Sequence, residues 1–435
     1  MNIVLLSGGS GKRLWPLSND IRSKQFIKIF KENGSYRSMV QRVYSQIKEV
    51  SENTSVLITT SKKQVSVIKN QLGNNVDICV EPCRRDTFPA IVLACAYLKY
   101  IKNLPEETAI AVSPVDPYVE KDYFNSVKCL VEIAEKGAAK LALMGIEPTY
   151  PSEKYGYIIP KTAEQVSQVS MFKEKPTSVV AAEYISAGAL WNSGVFAFKI
   201  GYVLKIARKY LSFNSYDELY SKYEDLPKVS FDYEVVEKEK QISVMRFNGM
   251  WSDLGTWNTL TEAMEDNVIG DGILNENCEN VHIVNETKLP ILAMGLKNVV
   301  ISASPEGILV SDKQQSSYIK PFVDSIDRQI MFAEKSWGSF RVLEQEDKSL
   351  TILVTLNKGN KMNYHSHQLR DEVWTVISGH GTVVMDGKEF GVTEGDVVKI
   401  PANTKHTVKA LSLLKMLEVQ LGEEISVSDK IKFSL

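Results

Sequence analysis

The chain has 435 residues, which is enough for two or three domains with sizeable cores. Its apolar fraction of 44% and charged fraction of 24% are typical of a soluble globular protein. The net charge of −2 gives no general attraction to nucleic acid or to a membrane surface, and no apolar run approaches the length of about 20 residues that spans a bilayer. We therefore expect no nucleic-acid partner and no membrane partner.

The cysteines favour a reducing compartment. They form no C-x-x-C pair, so buried free thiols are expected rather than disulfides or a metal cluster. The apolar run at the N-terminus is too short for a signal peptide, and a cytoplasmic location follows as an expectation. The five residues are Cys79, Cys83, Cys95, Cys129 and Cys278.

Residues 1–265 alternate between apolar strands and helical stretches, a pattern that predicts a parallel sheet with helices on its faces. Ligands bind beyond the carboxyl ends of the strands in such sheets, so the functional motifs are expected there. The predicted strands are 3–6, 55–58, 109–112, 141–145 and 194–198, and the predicted helices include 36–50, 89–100 and 123–136.

The first strand runs into a glycine-rich stretch at positions 6–18 (LSGGSGKRLWPLS), continued by 23–26 (SKQF). Glycines lack the Cβ atom that would hold a ligand away from the backbone, and successive amides in such a turn bind anions. Cations at the rim add positive charge. The stretch therefore predicts a polyphosphate site formed by Gly8, Gly9, Gly11, Lys12, Arg13 and Lys24.

Two common nucleotide motifs are excluded at this stretch. A Walker loop requires Gly-Lys-Ser/Thr at the start of a helix, whereas Lys12 is followed by Arg13. The dinucleotide fingerprint requires a helix that begins within the glycines, and Pro16 opposes one. If the glycines are taken alone, an ordinary glycine-rich turn remains the alternative.

The complete stretch resembles the signature loop of the sugar-phosphate nucleotidyltransferases, G-G-x-G-x-R-L followed by P-L and K-Q. Its Trp-Pro-Leu-Ser and Lys-Gln-Phe segments are similar to the form found in the mannose-1-phosphate guanylyltransferase family. The resemblance implies an α/β nucleotidyltransferase domain with a Rossmann-like mixed sheet over residues 1–265. It assigns nucleotide binding to Leu6, Gly8, Gly9, Gly11, Lys12, Arg13 and, in the later stretch 81–90 (EPCRRDTFPA), Arg85.

Two acids from distant parts of the chain suit a magnesium site. Asp116 follows a predicted strand in VSPVDP, and Asp253 precedes a glycine in WSDLG. Mg²⁺ takes few protein carboxylates and completes its shell with phosphate oxygens and water. The resemblance implies that both acids bind the metal. The chain departs from the family at Asp86, Phe88 and Pro117, where the family has Asn, Ala and His.

A third group of motifs suits a sugar phosphate. Glu174 and Lys175, in FKEKP, pair an acceptor for hydroxyl groups with a cation for phosphate. The resemblance assigns sugar-phosphate binding to Gly156, Glu174, Lys175, Asn192 and Asp253. It assigns catalysis in this domain to Arg13, Lys24, Asp116, Lys175 and Asp253.

Residues 266–330 contain short β-branched runs at 281–284, 299–301 and 308–310. These runs predict a short β-helix-like linker, with the next boundary near 318–323. Residues 331–435 have an all-β pattern, with strands at 350–356, 373–378 and 382–385. Asp386 and Gly387 form a hairpin turn signal.

The last hundred residues hold a candidate metal site. His365 and His367 are one residue apart, so a strand points both to one face. With Glu372 and His406 they form a donor set that suits Zn²⁺ or another divalent transition metal. The remaining histidines, His282 and His380, match no motif and are expected to be structural.

The spacing of these ligands resembles the two cupin motifs, with Asn403 in place of a glycine. A guanylyltransferase domain followed by a cupin barrel is similar to the layout of the bifunctional type II phosphomannose isomerases. That resemblance implies a catalytic role for Arg370, on the 6-phosphate or the enediolate, and a metal that polarises a carbonyl group. Gln368, Leu369 and Val373 replace histidines of that family, and His365 replaces its glutamine. The candidate bases are Glu372, Lys399 and Lys405.

The resemblances imply that GTP and mannose 1-phosphate are converted to GDP-mannose and pyrophosphate, with mannose-6-phosphate isomerase activity as a second function of the cupin. A homodimer is expected. Three alternatives stay open. The transferase domain uses another sugar 1-phosphate or nucleotide, the cupin binds metal without isomerising sugars, or the chain senses a sugar nucleotide without making it.

Overall fold

A computed structural model describes residues 1–9, 12–19, 21–326, 329–426 and 429–434. The chain forms two compact units. The first comprises Met1–Gly9, Gln25–Val65 and Asn75–Gly255, and the second comprises Ser10–Lys24, Ser66–Asn74 and Thr256–Leu435. Within the described ranges, no helix combines the length and the apolar character required to cross a membrane.

The first unit is built on a nine-stranded mixed sheet of order β5-β4-β1-β6-β11-β8-β12-β10-β9. The short pairs β2-β3 and β13-β7 are antiparallel. The strands are β1 (Asn2–Ser7), β2 (Phe30–Glu32), β3 (Ser35–Arg37), β4 (Ser55–Ser61), β5 (Asp77–Glu81), β6 (Ala109–Pro114), β7 (Pro117–Val119), β8 (Leu141–Ile146), β9 (Gly156–Pro160), β10 (Val166–Glu174), β11 (Leu190–Lys199), β12 (Ile242–Phe247) and β13 (Trp251–Asp253).

The sheet is mixed because β11 runs antiparallel to both β6 and β8. The five predicted strands all form, and the mixed sheet that the resemblance implies is confirmed. The parallel course predicted from the strand and helix pattern is wrong for 194–198, which lies in β11. The alternation of strands and helices does not by itself reveal this reversal, since β9, β10 and β11 follow one another with one short helix among them.

Helices cover the sheet where their apolar faces are buried. α3 is almost entirely buried, and α4 packs on β6, β8 and β11. The helices up to residue 255 are α1 (Met39–Val50), α2 (Val65–Leu72), α3 (Thr87–Ala96), α4 (Asp122–Lys136), α5 (Ser178–Ser186), α6 (Ile200–Ala207) and α7 (Tyr216–Ser221). A π-helical turn, Tyr97–Ile101, continues α3, and a second one spans Asp232–Val236.

The linker in the second unit is formed of short stacked strands. β14, β16 and β18 pair in parallel, as do β15 and β17, and β19 closes the sheet antiparallel to β18. The elements are α8 (Trp257–Glu262), β14 (Val268–Ile269), β15 (Gly272–Leu274), β16 (His282–Asn285), β17 (Ile291–Ala293), β18 (Val299–Ser304), β19 (Gly307–Asp312) and α9 (Lys320–Asp324). This arrangement confirms the β-helix-like linker.

The C-terminal barrel consists of two antiparallel sheets, of order β20-β21-β22-β29-β24-β27 and β26-β25-β28-β23-β30. The strands are β20 (Phe332–Lys335), β21 (Gly338–Glu346), β22 (Ser349–Leu356), β23 (His365–His367), β24 (Arg370–Ser378), β25 (His380–Met385), β26 (Lys388–Thr393), β27 (Val397–Ile400), β28 (His406–Ala410), β29 (Leu414–Gly422) and β30 (Lys430–Lys432). Asp386 and Gly387 both have positive φ in the β25–β26 turn, so the predicted hairpin is confirmed.

All five cysteines have free thiols, as predicted. Cys79 and Cys95 are buried, and Cys83 and Cys278 are half-buried. Cys129 is exposed on α4, so the prediction of a buried thiol is wrong at that position. It lies on the polar face of an amphipathic helix, where a small side chain is tolerated in contact with water.

Candidate functional site

The first unit contains a cavity of about 400 Å³ at the carboxyl ends of β1 and β6. This is the position where ligands bind in open α/β sheets. It brings together most of the residues that the sequence assigned to the first unit's site: Leu6, Gly8, Gly9, Asp116, Gly156, Glu174, Asn192 and Asp253. Its wall also includes residues that the sequence did not assign, among them Thr87, Lys154, Tyr155, Asp232 and Trp251.

The glycine loop leaves β1 along one wall of the cavity. Gly9 has φ +108°, a backbone conformation that residues with a side chain rarely adopt. Arg84 Nη2 donates to the Gly9 carbonyl at 3.0 Å, and Gln25 Nε2 donates to Ser7 Oγ at 3.2 Å. These contacts hold the loop in an open turn. Its exposed backbone can then contact a phosphate group.

The two candidate metal acids are brought together by the small sheet of β7 and β13. Asp253 pairs in register with Pro117, which directly follows Asp116. Both acids are half-buried and line the cavity. Gly255 leaves room beside Asp253, because a Cβ there would lie 3.3 Å from its carboxylate. Two carboxylates in one phosphate-sized cavity are a donor set that fits Mg²⁺.

Glu174 and Asn192 also contribute polar groups to the lining of the cavity. Lys175 Nζ lies 2.7 Å from Glu174 Oε1, while Glu174 Oε2 is buried and has no hydrogen-bond partner among the described residues. A Cβ at Gly156 would clash with Glu174 Oε2, so a side chain there would displace the Glu174 carboxylate. Lys175 is exposed and has φ +46°, a strained backbone conformation that is frequent at functional sites.

Asp232 is the main residue that the sequence interpretation missed. Asn192 Nδ2 donates to Asp232 Oδ1 at 2.7 Å, and Asn192 Oδ1 accepts from the Gly194 amide at 3.2 Å. Burial raises the pKa of Asp232 to about 7, and the negative charge of Glu174 adds to the rise. Asp232 begins a π-helical turn, Asp232–Val236, and no sequence rule predicts the position of such a turn.

The second half of the signature stretch belongs to the second unit. There, Lys12 Nζ forms an ion pair with Asp324 at 2.7 Å, Arg13 is exposed and Lys24 is half-buried. Gly11 lies outside the described residues. The prediction that these cations serve a polyphosphate therefore stays a prediction.

Within the second unit, residues 12–19 and 21–24 contact α8 and the linker. Arg22 is buried and donates from both Nη atoms to Glu286, at 2.7 and 2.8 Å. The Trp15 carbonyl accepts from Trp257 Nε1 at 3.1 Å. A Cβ at Gly307 would clash with the Trp15 ring, so glycine makes room for the tryptophan. Sequence separation of more than 200 residues hides all of these contacts from motif analysis.

The positions near Arg85 have local explanations in the first unit. Arg85 Nε donates to the Leu226 carbonyl at 3.0 Å, whereas its neighbour Arg84 reaches the glycine loop. Asp86 has φ +70° and caps α3 by accepting from the Thr87 amide. Phe88 is fully buried in the core, so its side chain packs against the protein.

The barrel brings the four predicted metal ligands together. Their donor atoms all lie within 4.8 Å of one another, and all four side chains are buried: His365, His367, Glu372 and His406. His365 pairs directly with His406 between β23 and β28. The alternation of β24 directs Glu372 and Trp374 inward.

The histidine tautomers favour a metal. Nδ1 of each ring contacts a backbone carbonyl: Asn363 at 2.6 Å for His365, Asp429 at 3.1 Å for His367 and Thr404 at 2.9 Å for His406. A proton on Nδ1 leaves the Nε2 lone pair directed at the centre, the usual state of a metal-binding histidine. Burial, with the charge of Lys430, lowers the pKa of His365 to about 2, so this ring stays neutral.

The centre of the cluster has unsatisfied polar atoms, which a divalent cation would satisfy. His406 Nε2 and Glu372 Oε1 are buried without a hydrogen bond of good geometry among the described residues. Burial alone raises the pKa of Glu372, but His367 and His406 lower it well below its usual range. Arg370 lies beside the cluster, donating from Nη2 to His367 Nε2 at 3.2 Å and from Nη1 to the Ser426 carbonyl. The residues therefore fit a transition metal.

Comparisons with known proteins agree with both halves of this description. The nucleotidyl transferase family model matches residues 2–268, and the model of the mannose-6-phosphate isomerase C-terminal domain matches residues 326–434. The Salmonella typhimurium mannose-1-phosphate guanylyltransferase RfbM is 30% identical, and the alignment covers 99% of this chain and 96% of that protein. The mannose-1-phosphate guanylyltransferase of Escherichia coli K12 is 28% identical, with 99% and 97% coverage.

A solved structure extends the agreement to the fold. The mannose-1-phosphate geranyltransferase from Thermus thermophilus superposes with a TM-score of 0.62 at 27% identity, covering 74% of this chain and 98% of that one. Fold and site thus define an α/β nucleotidyltransferase domain joined to a cupin of the isomerase type. The chain belongs to the nucleotidyl transferase family, among the mannose-1-phosphate guanylyltransferases. The resemblance drawn from the signature loop and the cupin motifs is confirmed.

Proposed function

We propose that the protein makes GDP-mannose and pyrophosphate from GTP and mannose 1-phosphate. One observation carries the proposal. A single cavity is lined by the glycine loop, by two neighbouring acids and by a carboxylate–amide pair suited to hydroxyl groups. These are the three kinds of contact that a nucleotide, a metal and a sugar require. The relatives named above supply the identities of base and sugar.

The reaction is an in-line transfer. A phosphate oxygen of the sugar phosphate forms a bond to the α-phosphorus of GTP, while the bond from that phosphorus to the leaving pyrophosphate breaks. Two anions must approach one another, so charge neutralisation and positioning account for most of the catalysis. Arg13, Lys12 and the amides of Gly8 and Gly9 are proposed to bind the triphosphate.

The other roles follow the same logic. Lys175, assisted by Lys24, is proposed to hold the sugar phosphate, and Gly156, Glu174 and Asn192 the sugar ring. Asp116 and Asp253 would hold Mg²⁺, which supplies positive charge at the reacting phosphates when bound. Arg85 is also proposed to contact the nucleotide.

The decisive experiment is a substrate panel. The four nucleoside triphosphates are each tested with several sugar 1-phosphates, with Mg²⁺ present, and pyrophosphate release is measured. GTP with mannose 1-phosphate should be among the best pairs. Turnover with a different pair would contradict the substrates while supporting the class of reaction. Absence of turnover, with binding of a sugar nucleotide, would favour a sensor.

We propose as a second function that the cupin binds a divalent transition metal and interconverts mannose 6-phosphate and fructose 6-phosphate. The buried cluster of three histidines and one glutamate supports metal binding. Leu369 and Val373 do not face the cluster, since Leu369 is 50% exposed and Val373 lies on the opposite face of β24 from Glu372. The presence of Leu369 and Val373 in place of two histidines of the related isomerases therefore removes no ligand from the metal site.

Metal analysis and activity test this function separately. The protein loaded with Zn²⁺, Mn²⁺ or Co²⁺ should retain about one ion per chain, and His367→Ala should retain none. The loaded protein should convert fructose 6-phosphate to mannose 6-phosphate. Retention of metal without conversion would support a cupin whose metal serves another purpose. Lys399 and Lys405 are exposed, which makes them poor candidates for the base, whereas Glu372 remains one.

We further propose a homodimer working in the reducing cytoplasm. The five free thiols are compatible with a reducing compartment. Sedimentation measurements at several protein concentrations would test the dimer.

A further inference from the structure

Asp232 faces the same part of the cavity as Glu174, and nothing in the sequence motifs gives it a role. Its carboxyl group is held at Oδ1 by Asn192, whose own orientation is set because Asn192 Oδ1 accepts from the Gly194 amide. The amide nitrogen of Asn192 must then face Asp232. This arrangement orients the carboxyl group, which lines the cavity and can turn its other oxygen, Oδ2, towards a ligand.

Asp232 is anchored on a rigid support. The preceding residue, Phe231, is fully buried. Its ring lies tilted at 4.8 Å from the Phe196 ring and stacks at 5.5 Å on the Phe198 ring. The Phe231 amide donates to Thr87 Oγ1 at 2.8 Å. A side chain held by packing and hydrogen bonds on both sides is suited to recognise a ligand.

The charges around the two carboxyl groups are unequal. Glu174 has Lys175 at 2.7 Å, whereas the nearest partner of Asp232 is the neutral amide of Asn192. Lys175 favours ionisation of Asp232, but burial and the negative charge of Glu174 outweigh it, so Asp232 retains its proton more readily than an exposed aspartate. Tyr233 and Glu237 also lie close, the latter accepting from the Glu174 amide at 3.1 Å, and neither supplies a positive charge.

We propose that Asp232 is a specificity-determining residue of the sugar subsite, where its protonated carboxyl group donates through Oδ2 to one hydroxyl of a hexose 1-phosphate while Glu174 Oε2 accepts from a neighbouring hydroxyl. The inference rests on the proposed function, because it takes a hexose phosphate as the ligand. Each sugar hydroxyl can both donate and accept, so a donor beside an acceptor matches a pair of adjacent hydroxyls.

The raised pKa of Asp232, about 7, gives the assignment a pH signature. Above pH 7 the carboxyl group loses the proton that it donates, so the fraction of protein competent to bind falls. Between pH 6 and pH 8.5 that fraction falls by about thirtyfold, and the affinity falls with it. Burial lowers the pKa of Lys175, but its contact with Glu174 outweighs burial and the pKa is raised. Lys175 therefore keeps its charge throughout this range.

Calorimetric binding of mannose 1-phosphate at several pH values tests the proposal without requiring turnover. Asp232→Asn keeps the shape and supplies a permanent donor, so its affinity should not fall above pH 7 beyond the effect of the ligand's own phosphate, which ionises near pH 6. Asp232→Ala should weaken binding about tenfold or more at pH 6. Glu234→Gln is the matched control, because Glu234 lies in the same turn and pairs with Lys238 and Tyr210.

The outcomes separate this proposal from the proposed function. An Asp232→Asn profile identical to that of the wild type, or wild-type affinity in Asp232→Ala, would overturn the role of Asp232. Binding with the expected pH signature, but no pyrophosphate release with GTP, would contradict the transferase function alone. A wild-type protein that does not bind mannose 1-phosphate would contradict both.

Discussion

At the scale of single residues, the candidate site gathers several carboxylates in one cavity. Asp116 and Asp253 share a cavity wall, and Glu174 Oε2 is buried without a hydrogen bond among the described residues. A buried acceptor without a partner costs about 1–3 kcal/mol, which a bound hydroxyl or cation would offset. The buried Glu174 oxygen therefore lowers the stability of the ligand-free protein at the place where a ligand is expected to bind.

Neutralising either metal acid should abolish turnover without unfolding the protein. We expect Asp116→Asn and Asp253→Asn each to lower kcat by about a hundredfold or more, since charge stabilisation of phosphoryl transfer is the largest catalytic contribution. Pyrophosphate release measures the effect, and circular dichroism checks the fold. Asp122→Asn, an exposed aspartate at the start of α4, is the control. Near-normal turnover in both variants would contradict the assignment of these acids.

Cavity residues that lie at the ends of strands, within motifs of recognisable spacing, could be predicted from the sequence. Leu6, Gly8 and Asp116 all lie where a strand ends, a position that the strand pattern alone identifies. Asp232 could not be located in this way. Its place depends on a π-helical turn and on the packing of Phe231, both of which follow from long-range contacts.

At the scale of elements, the sequence around residues 33–41 contains local signals for a hairpin turn and for the start of a helix. The predicted helix 36–50 begins in the structure at Met39, because Ser38 and Gln41 form a capping box and residues 35–37 form β3. The adjacent Asn33 and Gly34 both have positive φ, as in the tight turns that favour this dipeptide. Both signals are present in the sequence. By contrast, the antiparallel course of β11 depends on tertiary pairing.

The ion pair of Arg22 with Glu286 should be a strong stabilising contact of the linker. Glu286→Ala leaves a buried guanidinium without its bidentate partner, and we expect the free energy of unfolding to fall by about 2–4 kcal/mol. Urea denaturation measures it. The control is Glu279→Ala, which breaks an exposed pair with Lys297 in the same linker and should cost less than about 1 kcal/mol. Equal losses in both variants would contradict the role given to burial.

The linker should also lose stability in mild acid because of His282. Burial and the charge of Lys313 lower its pKa to about 4, and Lys313 Nζ donates to His282 Nδ1 at 2.8 Å. The native state therefore binds fewer protons than the unfolded state between about pH 6.5 and pH 4, so stability falls as the pH falls through that window. Above it this histidine makes no pH-dependent contribution.

Thermal unfolding at a series of pH values measures the effect. His282→Gln retains an acceptor for Lys313 but cannot titrate, so the Tm of the wild type should fall by about 2–4 °C more than that of the variant between pH 6.5 and pH 4. His380→Gln, at an exposed histidine of the barrel, should follow the wild type. Parallel curves for wild type and His282→Gln would show that His282 does not control the acid sensitivity.

At the scale of the whole molecule, the two compact units do not follow the order of the chain. Residues 10–24 and 66–74 belong with the C-terminal half, although their neighbours in sequence build the large sheet. Within that second unit, Asn19 donates to Glu306, Ser304 donates to the Pro16 carbonyl, and Gln71 donates to Glu334. The sequence predicted domains in succession, because motif and composition changes carry no information on such long-range pairing.

A chain ending at residue 255 should therefore retain its sheet but lose its activity. The nine strands and their core lie within residues 2–247, so hydrogen exchange should still show protected amides in β1, β6, β8 and β12. Residues 12–24 would lose Trp257, Glu286, Ser304 and Glu306 as partners, and proteases should cut there faster than in the full chain. Because this stretch carries Arg13, pyrophosphate release should fall by about a hundredfold or more. Full activity in the shortened chain, or a cleavage pattern equal to that of the full chain, would show that the stretch orders without the C-terminal half.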